Sequence, residues 1–309
     1  MYEENSTVAS MVDKQKAAAI AYNRERLVSI VEVITFRARN NLPLRGRRDN
    51  EDLKSDKSIA RCLRGESGTF RALLAFRIHS GDEKLKKQLK NAPCNASWIS
   101  PRIQNGIIHQ IGRSVQEQIA ARLNKAKFFS VLCDETTDES TVEQMTVCAR
   151  YVDMDAFVVR EDFLGFVDVT STTGASLKAS LETFLNDLGI DMKNIRGQGY
   201  DGGSNMAGKF KGLQALMIEE YFWRSLTPNI RILLQMFATL PVTTASAERS
   251  FSVLRRLKTY LRSTMKEDRL NGLALPHIYK ELDIDVQKVI DMFAKATPRR
   301  LELMDWSKE

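Results

Sequence analysis

The chain has 309 residues, of which 43% are hydrophobic and 28% are charged. This balance is typical of a soluble globular protein, and the length allows one large domain or two smaller ones. No apolar run approaches the roughly 20 residues of a membrane span, and the polar, acidic start gives no sign of a secretory signal. We therefore predict an intracellular protein that does not contact a membrane.

Cysteine and histidine are too scattered to predict a structural zinc site. No two cysteines have Cys-x-x-Cys spacing, and no histidine pairs with a cysteine at zinc-finger spacing. We expect the thiols to be reduced and mostly buried. The residues concerned are Cys62, Cys94, Cys133, Cys148, His79, His109 and His277.

The net charge of +7 is distributed unevenly. Residues 1–127 hold 24 Lys and Arg against 13 Asp and Glu, a net charge of +11. Residues 128–220 hold 7 against 16, a net charge of −9, and residues 221–309 carry a net +5. Basic regions on either side of an acidic centre suit a protein that attracts a phosphate backbone. The alternative is a solvated helical surface that happens to be rich in Lys and Arg.

The N-terminal part is predicted to be helical. Apolar periodicity predicts helices at 15–39, 69–78 and 82–89, with an exposed loop at 46–52. The clearest helix begins where Ser100 can act as N-cap and Pro101 occupies the first helical position. Its apolar positions recur at helical spacing as far as Leu123 and predict a buried face.

The period then changes to that of strands. Segments rich in β-forming residues at 128–133, 144–151, 158–169 and 195–200 are separated by turn residues, and an amphipathic helix is predicted at 174–188. A further helix is predicted from the Gly202-Gly203 turn to about residue 220. Three strands, a helix and a fourth strand is the order in which a ribonuclease-H-like sheet begins.

The C-terminal part is helical again, with helices predicted at 229–240, from about Ser246, and from Thr264-Met265-Lys266-Glu267, which has capping-box spacing. Pro276 should kink the last of these. Their apolar residues offer more surface than three short helices can cover among themselves, which predicts self-association. The alternative is that they cover an edge of the sheet within the same chain.

Three carboxylates carry the candidate chemistry. Asp134 follows the first predicted strand, Asp201 follows the fourth, and Glu248 lies near the start of a helix. Carboxylates in these places can hold two divalent cations, Mg²⁺ or Mn²⁺, which clamp the attacking and leaving oxygens of a phosphodiester. Each also has a plainer interpretation. Asp134 can be a solvated strand end, Asp201 a turn residue before Gly-Gly, and Glu248 a charge that favours the helix dipole.

Three motifs resemble the hAT transposase superfamily, in particular its zinc-finger MYM-type-one-like relatives. They are Phe-Phe-Ser-Val-Leu-Cys-Asp-Glu-Thr-Thr-Asp at 128–138, Gly-Tyr-Asp-Gly-Gly-Ser-Asn-Met-Ala-Gly at 199–208, and Leu-Pro-Val-Thr-Thr-Ala-Ser-Ala-Glu-Arg-Ser-Phe-Ser at 240–252. The resemblance runs from about residue 68 to about 282. It implies that Asp134, Asp201 and Glu248 are the ancestral metal-binding triad and that the C-terminal segment is the hAT dimerisation region.

The sequence also departs from that family pattern. Nothing in these residues supplies the ligands of the family's zinc finger. Only 46 residues separate Asp201 from Glu248, where the family has a fifth strand and a long helical insertion. We therefore expect an incomplete sheet and a triad that no longer functions, because metal catalysis needs ligands held within about 0.5 Å.

These observations predict an α+β chain with an incomplete ribonuclease-H-like sheet, a helical N-terminal region and a helical C-terminal dimerisation region. The predicted organisation is a partly disordered helical segment at 1–67, a helical region at 68–127, ribonuclease-H-like strands and helices at 128–220, the dimerisation region at 225–285 and a C-terminal tail at 286–309.

The favoured interpretation is a non-catalytic, transposon-derived nuclear protein. It would form a homodimer or pair with related hAT-derived proteins, associate with DNA or chromatin, and require no cofactor. One alternative is a transposase or nuclease that uses Asp134, Asp201 and Glu248 with Mg²⁺ or Mn²⁺. The other is a truncated relic without a selected function.

Overall fold

A computed structural model describes residues 8–43, 53–91, 98–137, 143–200, 203–208, 211–222, 230–258, 265–296 and 303. The chain divides into two compact units. One comprises Met1–Ile111 with Lys280–Glu309, and the other comprises Gly112–Tyr279. Among the described residues, no helix is long and apolar enough to span a bilayer.

Runs of helices precede and follow the strands, an order expected of an α+β protein. The helices before the sheet are α1 (Val8–Arg39), α2 (Asp56–Leu63), α3 (Thr69–His79), α4 (Glu83–Asn91) and α5 (Pro101–Ala126). The strands are β1 (Phe129–Thr137), β2 (Glu143–Asp153), β3 (Val158–Val169) and β4 (Ile195–Tyr200), with α6 (Gly174–Asp187) before β4. The later helices are α7 (Ser204–Ala207), α8 (Leu213–Met217), α9 (Ile230–Thr239), α10 (Ala245–Leu257), α11 (Glu267–Ile278) and α12 (Val286–Ala296).

The first unit is a helical assembly around an apolar core. Trp98 packs edge-on against Phe293 of α12, with ring centroids 6.4 Å apart, and Arg24 of α1 pairs with Asp291 at 2.6 Å. The sequence did not predict α2 or α12. The signal for α2 was present, because Ser55 and Ser58 form a reciprocal capping box. The core includes Leu27, Ile30, Ile34, Phe70, Leu74 and Phe293.

The second unit is built on one four-stranded sheet of order β3-β2-β1-β4. Strands β1, β2 and β3 pair antiparallel, and β1 pairs with β4 in parallel. Within the described residues, β4 pairs with β1 alone and β3 with β2 alone. The predicted α+β class is confirmed, and the sheet begins in the predicted order of three strands, a helix and a fourth strand.

Helices cover both faces of this sheet. Gly165 of β3 lies under Phe184 of α6 and Gln116 of α5, and Gln116 donates a hydrogen bond to the Leu164 carbonyl at 2.9 Å. Thr146 on β2 instead contacts α10, its Oγ1 lying 3.0 Å from Ser250 Oγ. Since successive side chains of a strand point to opposite faces, helices α5 and α6 form one layer and α10 belongs to the other.

Two predicted helices differ in detail. The helix expected to run to residue 220 is broken into α7, α8 and a π-helical turn at Ile218–Phe222. A Cβ added at Gly212 would lie 2.4 Å from the Gly208 amide nitrogen, so Gly212 could not carry a side chain there unchanged. Helix α11 begins at Glu267, after Lys266, which makes no side-chain cap; the predicted cap Thr264 lies outside the described residues. Pro276 falls in its last turn.

Candidate carboxylate site and C-terminal helices

Asp134 is a buried residue inside a strand. We expected it to end the first strand, but β1 continues to Thr137, so that expectation is wrong. The reason is that β2 extends to Glu143 and pairs with every residue of β1 from Phe129 to Thr137. Asp134 is paired with Thr146 in this antiparallel ladder, so the two side chains share one face of the sheet.

The second carboxylate, Asp201, lies outside the described residues. The residue before it, Tyr200, pairs with Cys133, the residue before Asp134, in the parallel ladder of β4 and β1. Because the residues before the two aspartates are aligned in this register, we expect Asp134 and Asp201 to be neighbours. The distance between their carboxyl groups remains a prediction.

Glu248 occupies the first turn of α10 and is exposed. Thr244 Oγ1 donates a hydrogen bond to its Oε1 at 3.1 Å. The residues of α10 that turn towards the sheet are Ala247 and Ser250, both buried. Because Ser250 touches Thr146, the cross-strand partner of Asp134, α10 lies on the same face of the sheet as Asp134, while Glu248 faces solvent.

Within the described part of the chain, no three His, Cys, Asp or Glu side chains are grouped closely enough to hold a metal ion. Asp201 lies outside that part of the chain. Two nearby thiols also stay protonated, whereas a cysteine binds a metal ion as the thiolate. Burial raises the pKa of Cys133 well above its usual value, and burial, followed by the charge of Glu161, raises the pKa of Cys148 to about 12.

A polar cluster that the sequence analysis missed ties the C-terminal helices to this face. Glu161 of β3 accepts hydrogen bonds from Arg150 Nη1, at 2.6 Å, and from Ser246 Oγ at the start of α10. Burial alone would raise the pKa of Glu161, but these two hydrogen bonds outweigh burial and hold the pKa below its usual value. Ser246 lies in the motif at 240–252, but no motif marks Arg150 or Glu161, because strand alternation alone does not reveal which polar side chains will face a helix.

A cavity of about 350 Å³ lies beside this cluster. Its charged lining residues Glu161 and Arg249 are already engaged, since Arg249 Nη2 donates to Ser246 Oγ at 2.8 Å. Other lining residues include Cys148, Phe163, Val253, His277 and Tyr279. Neither Asp134 nor Glu248 is among the residues that line the cavity, so it does not bring these two candidate carboxylates together.

Helix α11 covers the outer edge of β3 through side chains that bind its backbone. Asn271 accepts from the Phe166 amide and donates to the Phe166 carbonyl, both at 2.8 Å, which reproduces the pairing of a neighbouring strand. Glu267 accepts from the amide of Asp168 at 3.0 Å, and Tyr279 donates to the carbonyl of Phe163 at 3.0 Å. The edge is thereby protected against pairing with another chain.

Helix α9 differs from α10 and α11 in what it exposes. Gln235 donates to the Ala126 carbonyl at 2.9 Å, and Arg150 Nε donates to the Ala238 carbonyl at 3.1 Å, so these contacts fix its inner side. The side chains of Leu233, Leu234 and Phe237 are 50%, 65% and 75% exposed. This helix therefore turns its large apolar residues outward.

Comparison with known proteins agrees with these motifs. Residues 1–212 match the model of the ZMYM1/FAM200 RNase-like domain, and residues 222–282 match the hAT family C-terminal dimerisation region. The second match contains α9, α10 and α11.

Two curated relatives carry the same name, the 52 kDa repressor of the inhibitor of the protein kinase. The mouse protein is 28% identical over 199 residues and the human protein is 28% identical over 200 residues. Each alignment covers 64% of this chain and 25% of the relative, so the chain spans about a quarter of the length of these relatives. The chain belongs to the ZMYM1/FAM200 RNase-like family and carries an hAT C-terminal dimerisation region.

Proposed function

We propose that this chain is a transposase-derived protein that associates with a second copy, or with related hAT-derived proteins, through its C-terminal region and does not cut or join DNA. The single observation that carries the non-catalytic part is the placement of Glu248. It is exposed and bound to Thr244, on a helix that turns Ala247 and Ser250 to the sheet. A two-metal centre needs its carboxylates to converge on ions about 4 Å apart.

The short chain between Asp201 and Glu248 supports this proposal. In the resembling family that interval contains a fifth strand and a helical insertion, and here it has 46 residues. Within the described residues the sheet ends at β4, and α9 and α10, which come after α7 and α8, pack over its face. In a scaffold rearranged in this way, the face of the sheet would pack against the C-terminal helices and would not form a metal centre.

The test is a cleavage and strand-joining assay on duplex DNA in Mg²⁺ and in Mn²⁺. We expect the wild-type chain to show no activity above that of Asp134→Ala and Asp201→Ala variants. The matched control is Asp155→Ala, because Asp155 is an exposed carboxylate on the β2–β3 turn, outside the triad. Cleavage that Asp155→Ala retains and both triad variants lose would overturn the proposal.

A divalent-metal nuclease is the second candidate, and one observation favours it. The parallel register of β1 and β4 aligns Cys133 with Tyr200, and each precedes one of the two aspartates. Mn²⁺ titration separates the candidates: a saturable binding heat that vanishes in Asp134→Ala favours the nuclease, and no binding heat favours the non-catalytic protein.

Association with DNA or chromatin, and a nuclear location, are the remaining parts of the proposal. Residues 1–127 carry a net charge of +11, and Lys57, Lys87 and Lys90 are exposed on α2 and α4. The curated relatives are named as repressors, which suits a protein that acts through association. Fluorescence anisotropy with labelled duplex DNA should show binding that weakens steeply with salt, and a flat signal at 50 mM salt would contradict it.

A further inference from the structure

Helix α9 exposes large apolar side chains on its outer face. A surface helix normally turns its apolar stripe to the core and its polar residues to water. Here Gln235 and the carbonyl of Ala238 face inward through their hydrogen bonds, while Leu234 and Phe237 face solvent. Burial of large apolar side chains is the main favourable contribution to folding and to association. An outward apolar stripe is therefore evidence of a partner.

The exposed stripe continues beyond the end of the helix. Leu240 is 41% exposed and Val242 is 80% exposed. Residues 232–247 contain no charged side chain, so nothing in this stretch repels a second chain of the same positive charge. Five large side chains exposed to this degree present apolar surface on the order of several hundred Å², the size at which patches usually mark an interface.

The position of this stripe is fixed by the sheet beneath it. Pro241 lies over Gly199, where its ring atoms would be 3.2 Å from an added Cβ, and Leu240 similarly lies over Gly197. Gln235, in the middle of the helix, holds it at the Ala126 carbonyl. A helix anchored at its middle and just beyond its C-terminal end presents its outer face without further ordering, and this preorganisation lowers the entropic cost of association.

Four leucines of α10 and α11 are already used within the chain. Leu254, Leu257, Leu270 and Leu273 are all buried in the unit that contains the sheet. They cannot form an intermolecular surface unless α10 or α11 leaves the sheet. Within the described residues of the matched segment, α9 and the Leu240–Val242 turn supply the large exposed apolar side chains.

We propose that the outer face of α9 and of the turn after it, formed by Leu233, Leu234, Phe237 and Val242 with the exposed part of Leu240, is the surface on which a second copy of this chain docks. The inference rests on the proposed self-association and assigns it to one helix face. In a twofold dimer the same patch meets itself, which suits an uncharged stripe. Phe237 lies at the middle of the stripe and is the expected hot spot.

The test is sedimentation velocity of the full chain over a range of concentrations, with Phe237→Glu as the variant. We expect the wild type to dimerise. The dimer dissociation constant of Phe237→Glu should be at least about 30-fold higher, as for a central interface aromatic. Its melting temperature should be that of the wild-type monomer, because Phe237 is 75% exposed. The control is Phe76→Glu, an exposed phenylalanine on α3 outside the matched dimerisation region.

The outcomes separate the inference from the proposed function. If the wild type stays monomeric well above micromolar concentration, self-association itself is wrong. If the wild type dimerises and Phe237→Glu dimerises equally well, association stands and the assignment to α9 is overturned. Should Phe237→Glu fail to fold, Leu234→Glu probes the same face with a side chain that is 65% exposed.

Discussion

Helices α9 and α10 are consecutive in the chain and belong to the same dimerisation region, yet they direct their apolar residues oppositely. On α9, Leu234 and Phe237 are mostly exposed, while on α10 Leu254 is 3% exposed. The difference follows from what lies beneath each helix. Gln235 of α9 binds the Ala126 carbonyl and the turn after α9 packs on Gly197 and Gly199, whereas α10 meets the buried side chain of Thr146. The matched dimerisation region therefore combines buried and exposed apolar faces.

The largest expected effect is that of Leu254→Asp on α10. It places an unpaired charge where the native side chain is buried, so the free energy of unfolding should fall by about 4 kcal/mol or more. The matched variant Leu234→Asp makes the same change on the exposed face of α9 and should shift monomer stability by less than about 0.5 kcal/mol. Thermal melting of both at monomeric concentration checks this contrast. A stable Leu254→Asp monomer that had lost only dimerisation would break it.

Asn271→Ala should have the next largest effect. It removes both partners of the Phe166 backbone at the sheet edge, and two buried polar groups left without hydrogen bonds cost about 2–4 kcal/mol. Urea unfolding measures the loss, with Asn186→Ala on the exposed side of α6 as the control. An unchanged unfolding midpoint in Asn271→Ala would show that α11 does not hold the edge of β3.

The smallest effect concerns the link between Glu161 and Ser246. Because the pKa of Glu161 is lowered in the folded chain, its stabilising contribution is present above the ordinary pKa of 4.5 and is lost as pH falls through the lower folded value. Glu161→Gln should therefore be less stable than wild type at pH 7, by roughly 1–2 kcal/mol, with the difference shrinking below pH 4.5. Parallel urea titrations at pH 7 and pH 3.5 check this, and a constant difference would contradict it.

Much of the fold was readable from local patterns in the sequence. The Ser100-Pro101 start and the apolar stripe predicted α5, and the strand segments at 158–169 and 195–200 match β3 and β4. Helix α12 was not predicted, although Val289, Ile290 and Phe293 form its buried face, because the segment was interpreted as a tail. The break between α7 and α8 was missed because it depends on the contact of Gly208 with Gly212.

The candidate site was less predictable than the fold. Motifs identified Asp134 and Glu248, but sequence does not state which way a helix is rotated, and that rotation leaves Glu248 exposed while Ser250 faces the sheet. The same limit applies to self-association. Apolar content made α9, α10 and α11 look alike, and only packing against the sheet separates the outward stripe of α9 from the inward stripes of its neighbours.

Hydrogen–deuterium exchange of the wild-type chain tests most directly whether α9 is the interface while α10 and α11 are core. It is measured above and below the concentration at which the chain dimerises. Backbone amides of residues 230–242 should exchange more slowly in the concentrated sample, because docking of a second copy suppresses local opening of α9. Amides of residues 245–278 should exchange at the same rate in both samples, since α10 and α11 are held by their own sheet. Concentration-dependent protection of residues 245–278, with residues 230–242 unchanged, would contradict the assignment of the interface to α9.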